Sequence, residues 1–359
     1  MGRSSGARWW LRLFASFAIA GGALALTSRT VGTIPSSFAL PWWGLPAYLG
    51  ILVVYFFTRA WRWSFLVRAI APMPTRVPVQ VALAGFLWII LLPWRIGEFA
   101  RPLLLAEKAP ISASAVLGTV ALERITDGLV ICGLFFATLA AHRSAEIVEL
   151  QALAATVSAL FLGALVVILV MALMPRVAGA MIRRLLGRIH AGLAERLGSI
   201  ADGIADGLRA LPSARPLAGF LGVTALYWGI NAVGMWILAQ ACGLELDLVE
   251  ITAVMTVINL ALLVPGPPAH LGTFHLGVLG GLALFVPQAL LEEAGVRYAF
   301  YLYASQIGMC VVLGAWAGTN LGIPWRGILR RLLGGLADTD LTATNSATVS
   351  GSTDPGSGA

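Results

Sequence analysis

The chain has 359 residues, of which 58% are hydrophobic and 11% charged, with a formal net charge of +7 and a mean hydropathy of +0.86. A soluble domain carries about a quarter charged residues because its surface faces water, so a water-soluble globular enzyme is excluded and the solvent of this chain is lipid. Cys132, Cys242 and Cys310 all fall within apolar segments, and no disulfide framework is expected of them.

In chain order, segments apolar and long enough to cross about 30 Å of hydrocarbon as a helix lie near 9–28, 43–68, 111–140, 151–174, 216–241 and 296–321. The first could be a cleaved signal peptide, since Arg3, Arg8 and Arg12 precede its apolar core. An uncleaved helix fits the following spans better. Two further apolar regions, 78–93 and 251–286, are broken by proline and glycine into pieces short for a crossing, so re-entrant elements are expected there. The expected fold class is an all-α polytopic membrane protein.

Positive charge sets the orientation. The segment 175–215 holds Arg176, Arg183, Arg184, Arg188, Arg196, Arg209 and Arg215, and reads as a cytoplasmic loop containing an amphipathic helix on the anionic inner leaflet. Both termini are expected inside, with 1–8 a short N-terminal segment and 322–359 a basic and then disordered tail. Topology accounts for the basic excess without a nucleic-acid partner. On this path 9–140 and 151–321 each run span, span, re-entrant element, span, in opposite orientations. That is an inverted repeat, an arrangement that places binding sites where the broken elements meet.

Chemistry gathers at the two breaks. In "FLWIILLPWRIGEFARPLLL", Pro93 and Gly97 interrupt the helix and Arg95, Glu98 and Arg101 recur at three-residue intervals. Glu98 can neutralise one arginine, and the remaining guanidinium with freed backbone donors suits a phosphate. An interfacial helix at the headgroups is the alternative. The following span places Glu123, Arg124 and Asp127 in an apolar context. Such charges cost about 2.5–3.5 kcal/mol each at the centre of a membrane helix, so partners are required. Arg95 or Arg101 are the expected ones, whether the cluster serves transport or only holds the structure.

The second break, "LLVPGPPAHLGTFHLGVLGGLALF", cannot be a continuous helix because of Pro265, Pro267 and Pro268. A half-helix starting near Gly272 would direct unsatisfied N–H groups toward an anionic headgroup. His270 and His275 add protonatable groups, but with no other ligand at suitable spacing a metal site is weak. No cofactor is expected, and no phosphate-cradling nucleotide loop is present.

"LPWRIGEFARPLLL", "ERITD" and "PGPPAHLGTFH" together resemble the flippase-like transmembrane domain of lysylphosphatidylglycerol synthases, over most of residues 9–321. The third motif departs from the commoner form of that family, which has a Gly-Gly pair where Ala269 and His270 stand and often a glutamate where His275 stands. The resemblance implies a bacterial or archaeal cytoplasmic membrane protein that moves an anionic phospholipid, its aminoacylated derivative or a lipid-linked phosphate between leaflets. Its longest soluble segment is too short to house the aminoacyltransferase of the synthases. The partner expected is thus an anionic membrane lipid, with an oligomer left open. Two rivals remain at this point: a lipid-phosphate enzyme using Glu98, Glu123 or Asp127 as base, and a non-catalytic partner of a lipid-modifying enzyme.

Overall fold

The computed structural model describes residues 35, 37–92, 97–142, 191–209, 214–263 and 268–322, with isolated positions between 155 and 184. The expected span 9–28, most of 151–174 and the tail from 323 lie outside the described residues. Among the described residues every regular element is helical.

Helix α1 (Gly44–Ile70) ends at Ala71, whose extended backbone (φ −136°, ψ 117°) follows from Pro72, because a proline disfavours helix in the residue before it. Helix α2 (Arg76–Leu91) stops for the same reason: Leu92 precedes Pro93 and is extended at φ −103°, ψ 135°. The short α3 (Ala100–Ala106) and the 30-residue α4 (Ala113–His142) follow. Helix α5 (Ala191–Arg209) precedes α6 (Ala214–Ala241), which closes on Gly243 at φ +82°. There Leu244 N–H donates to Ala239 O and Gly243 N–H to Gln240 O, satisfying the last carbonyls. Helix α7 (Leu248–Ala261) opens with a capping box, Asp247 accepting from Glu250 N–H and Glu250 accepting from Asp247 N–H, both at 2.8 Å. A 3-10 turn (Pro268–His270) leads to α8 (Thr273–Leu282). One further turn and a π-helical turn (Leu291–Gly295) run directly into α9 (Val296–Asn320).

Three of the described helical stretches, Gly44–Ile70, Arg215–Ala241 and Gln288–Asn320, are long and apolar enough to cross a membrane. By contrast α2 and α7, with 16 and 14 residues, reach only about 24 and 21 Å at 1.5 Å per residue. Each belongs to a hairpin. Gly97 lies against the backbone of Trp88 and Ile89, while Arg101, four residues on, lies over Gly85, so α3 runs back along α2. Likewise Gly277 meets Ile258 and Ala261, and Gly281 meets Val254, so α8 runs back along α7.

The helices pack reciprocally. Helix α1 lies along α6; α2 packs on α9, and α7 packs on α4. The leading helix of each hairpin thus leans on the last helix of the other half of the chain. Helix α5 docks on the first turns of α4, where Gly118 faces Ile204 and Gly203 faces Ser114. Its Ala194, Ala201 and Ala205 are buried, so part of the surface expected to lie on a leaflet is packed against protein. Arg183 ties Glu195 and Asp202 together at 3.0 and 2.7 Å.

Candidate functional site

Glu123 and Asp127 lie one turn apart on α4 and so project from one side of it. Arg62 of α1 meets both: its Nη1 and Nη2 donate to the two Asp127 oxygens at 2.6 and 2.7 Å, and Nη2 also donates to Glu123 Oε1 at 3.0 Å. Thr224 Oγ1 on α6 accepts a fourth bond from Arg62 at 3.3 Å, and the ring of Tyr227 lies 4.4 Å from the guanidinium carbon. Arg101 reaches Glu123 Oε2 at 2.8 Å through the space left by Gly85. Arg124 Nη2 completes the cluster at 2.9 Å from Glu123 and 3.6 Å from Asp127. Arg62, Arg101 and Glu123 are wholly buried. Fully buried charges are tolerated only when paired and hydrogen-bonded, and each carboxylate here has at least two guanidinium neighbours.

Beside this cluster lies a cavity of about 320 Å³. Tyr55 and Arg59 of α1, Phe86 of α2, Glu98, and Arg124 and Asp127 of α4 form one side of its lining. Asn259, Ala269, His270, Phe274, Tyr303 and Gln306 contribute from the second half of the chain. The two hairpins meet here: the turn 268–270 packs on α2, and Tyr303 OH on α9 donates to Ala269 O at 3.1 Å. Counting the cluster behind the wall, four guanidiniums (Arg59, Arg62, Arg101, Arg124) meet three carboxylates (Glu98, Glu123, Asp127) among the described residues. Among these described residues the guanidiniums outnumber the carboxylates by one.

The residues singled out from sequence divide accordingly. Glu98, Arg124, Asp127 and His270 line the cavity; Arg101 and Glu123 stand behind it in the ion-pair cluster. Gly97 is buried against Trp88, Pro268 opens the 3-10 turn, and Gly272 caps α8 at its N-terminus. His275 is buried with its ring 4.7 Å from that of Tyr303. Arg95 and Pro265 lie outside the described residues. Of the two partners expected for the carboxylates, Arg101 is found in place. Arg59 and Arg62 were missed. Both sit inside the apolar span 43–68, and the cost argument that singled out Glu123 and Asp127 applies to them as well.

The family model of the lysylphosphatidylglycerol synthase TM region matches residues 13–303. The chain belongs to this family. It is therefore a membrane protein of a lipid-related family. No curated protein and no solved structure gives a significant match. The second hairpin has one unusual backbone feature. Ala269 and His270 both hold positive φ, 57° and 54°, and Gly272 follows at 84°. A left-handed backbone costs a residue with a Cβ about 1–2 kcal/mol and glycine almost nothing. Ala269 and His270 hold this path despite their Cβ atoms, and His270 puts an imidazole into the cavity wall.

Proposed function

We propose that this chain is a lipid translocase, flippase- or scramblase-like, whose central cavity takes the headgroup of an anionic lipid while the acyl chains stay in the bilayer. The observation that carries the reading is the surplus positive charge around a cavity built where two helical hairpins meet. In a low-dielectric surrounding an uncompensated cation favours an anionic ligand strongly. Family membership supports a lipid as that ligand.

The same reading makes the hairpins re-entrant, each dipping into the membrane from its own side, and the two halves an inverted repeat. Reciprocal packing supports it: exchanging α1 with α6, α2 with α7 and α4 with α9 turns the α2–α9 contact into the α7–α4 contact and leaves α1–α6 unchanged. Both termini and loop 175–215 are then cytoplasmic. A lipid-phosphate enzyme is the weaker reading. Glu123 and Asp127, two of its three possible bases, are each held by guanidiniums, and Glu123 does not line the cavity. A base must be within hydrogen-bond reach of the proton it takes.

The test is reconstitution of the purified chain in liposomes carrying a fluorescent anionic lipid, with leaflet-selective quenching. The expected result is faster exchange between leaflets than in protein-free liposomes, without a new lipid species. A covalently altered lipid would establish the enzyme instead, and neither exchange nor product would leave the role of a membrane partner.

A further inference from the structure

Not all of the arginines around the cavity can serve a ligand. Arg62 and Arg101 are wholly buried and committed to Glu123 and Asp127, and Arg124 shares its Nη2 between the same two carboxylates. Removing any of these from its partners leaves a buried carboxylate short of a counter-ion. Arg59 differs. It sits on α1, one turn after Tyr55 and nearly one before Arg62, and like Arg124 it lines the cavity and is only half-buried. Its one hydrogen bond to a side chain is a 3.4 Å contact from Nη1 to the neutral Tyr55 hydroxyl, and it forms no ion pair with any described carboxylate. Its guanidinium carbon lies 4.6 Å from the centre of the Phe86 ring, close enough for a cation–π contact. Among the described residues its Nε is buried from solvent with no hydrogen-bond partner, as are the Nε atoms of Arg62, Arg101 and Arg124, so it is the missing ion pair that sets Arg59 apart.

Resting on the reading of the cavity as a headgroup site, we infer that Arg59 is the group that binds the phosphate of the incoming lipid, and that Arg62, Arg101 and Arg124 form the scaffold behind it. The surplus charge of the cavity then has an address. A guanidinium presents parallel N–H groups that match two oxygens of a phosphate ester. The Phe86 ring and the Tyr55 hydroxyl hold it against the α1–α2 wall before the ligand arrives, which reduces the ordering cost of binding. A phosphate ester satisfies both the unpaired charge and the buried donor. The remaining polar lining from the second half of the chain, Asn259, His270, Tyr303 and Gln306, brings no carboxylate and faces the rest of the headgroup.

The experiment measures retention of phosphatidylglycerol and phosphatidylcholine by the purified full chain in mixed micelles, by native mass spectrometry, for the parent, Arg59→Gln and Arg59→Lys. Thermal unfolding is recorded on the same samples. The parent should prefer phosphatidylglycerol, and Arg59→Gln should weaken its retention about 10- to 100-fold, the usual loss for a charge-assisted bidentate contact. Arg59→Lys should fall between, and unfolding temperature should hardly change, because no carboxylate loses its partner. If Arg59→Gln retains phosphatidylglycerol like the parent, or unfolds as early as an Arg62 variant, the assignment is overturned while the anionic-lipid reading stands. A parent without preference between the two lipids overturns both. Soluble glycerol phosphate that binds alone, displaces the lipid and depends on Arg59 would keep Arg59 as the phosphate ligand and refute the lipid as its source.

Discussion

Replacing Arg62 by glutamine should damage the fold more than any other single change in the cluster. The wild-type side chain makes bonds of 2.6, 2.7 and 3.0 Å to Asp127 and Glu123 and a weaker one of 3.3 Å to Thr224, with no exposure to solvent. In Arg62→Gln, Glu123 keeps Arg101 and Arg124, but Asp127 retains only Arg124 at 3.6 Å. Breaking a buried pair by removing one partner costs about 3–5 kcal/mol, a large part of the about 5–15 kcal/mol that stabilises a typical fold. It lowers the folded-to-unfolded ratio by about two to four powers of ten. Fluorescence-detected gel filtration after graded heating in detergent would register this as a large fall in the temperature at which the monodisperse peak is lost. Arg62→Met combined with Asp127→Leu should recover much of the loss, since exchanging both ends of a buried pair for apolar groups is often near neutral. Parental heat resistance in Arg62→Gln, or a double variant whose loss equals the sum of the singles, would refute the paired-charge account.

Gly85→Ala should also destabilise, by about 1–3 kcal/mol as overpacking does, because a Cβ there meets the Arg101 side chain on its way to Glu123; unchanged heat resistance would contradict the close approach. In the second hairpin Ala269→Gly should stabilise by about 0.5–1 kcal/mol, the relief of a left-handed alanine less the greater freedom glycine gains on unfolding. Gly272→Ala, at φ 84° and ψ −54°, should cost about 1–3 kcal/mol, as a sparsely populated backbone conformation does. Heating curves that move both variants the same way would show that backbone handedness does not govern the turn.

What could be read in advance follows the range of the forces involved. Proline acts on the residue beside it, so the ends of α1 and α2 at Pro72 and Pro93 were marked in the sequence. The start of α8 at Gly272 was visible for a related reason, a glycine just beyond a proline cluster. Helical spacing likewise put Glu123 and Asp127 on one side of α4, and the cost of burying them called for a cation. Which cation was another matter. Arg101 stands 22 residues from Glu123 in the adjoining motif and was one of the two partners expected, with Arg95; Arg62 stands 61 residues away in a different span, and local periodicity carries no trace of that contact. The cavity was harder still. Its neutral members Asn259, Tyr303 and Gln306 look like any polar residue in an apolar helix until α7 and α9 are seen to close around one space.

The ion-pair cluster also bears on the order in which the molecule is made. Arg62, Arg101, Glu123, Arg124 and Asp127 all belong to the stretch between residues 62 and 127, so the charges can find one another as soon as α4 has left the ribosome. The half-made protein need not leave carboxylates stranded in the bilayer while the rest is synthesised. Among the described residues the second half then adds only lighter trimmings, the Thr224 hydroxyl and the Phe220 and Tyr227 rings. The first half can thus wait, its buried carboxylates already paired, for α6 to arrive and roof it over. A chain released just after α4 should insert and persist; one released before Glu123 would leave Arg62 and Arg101 without the two carboxylates that pair with them, an obvious flag for membrane quality control.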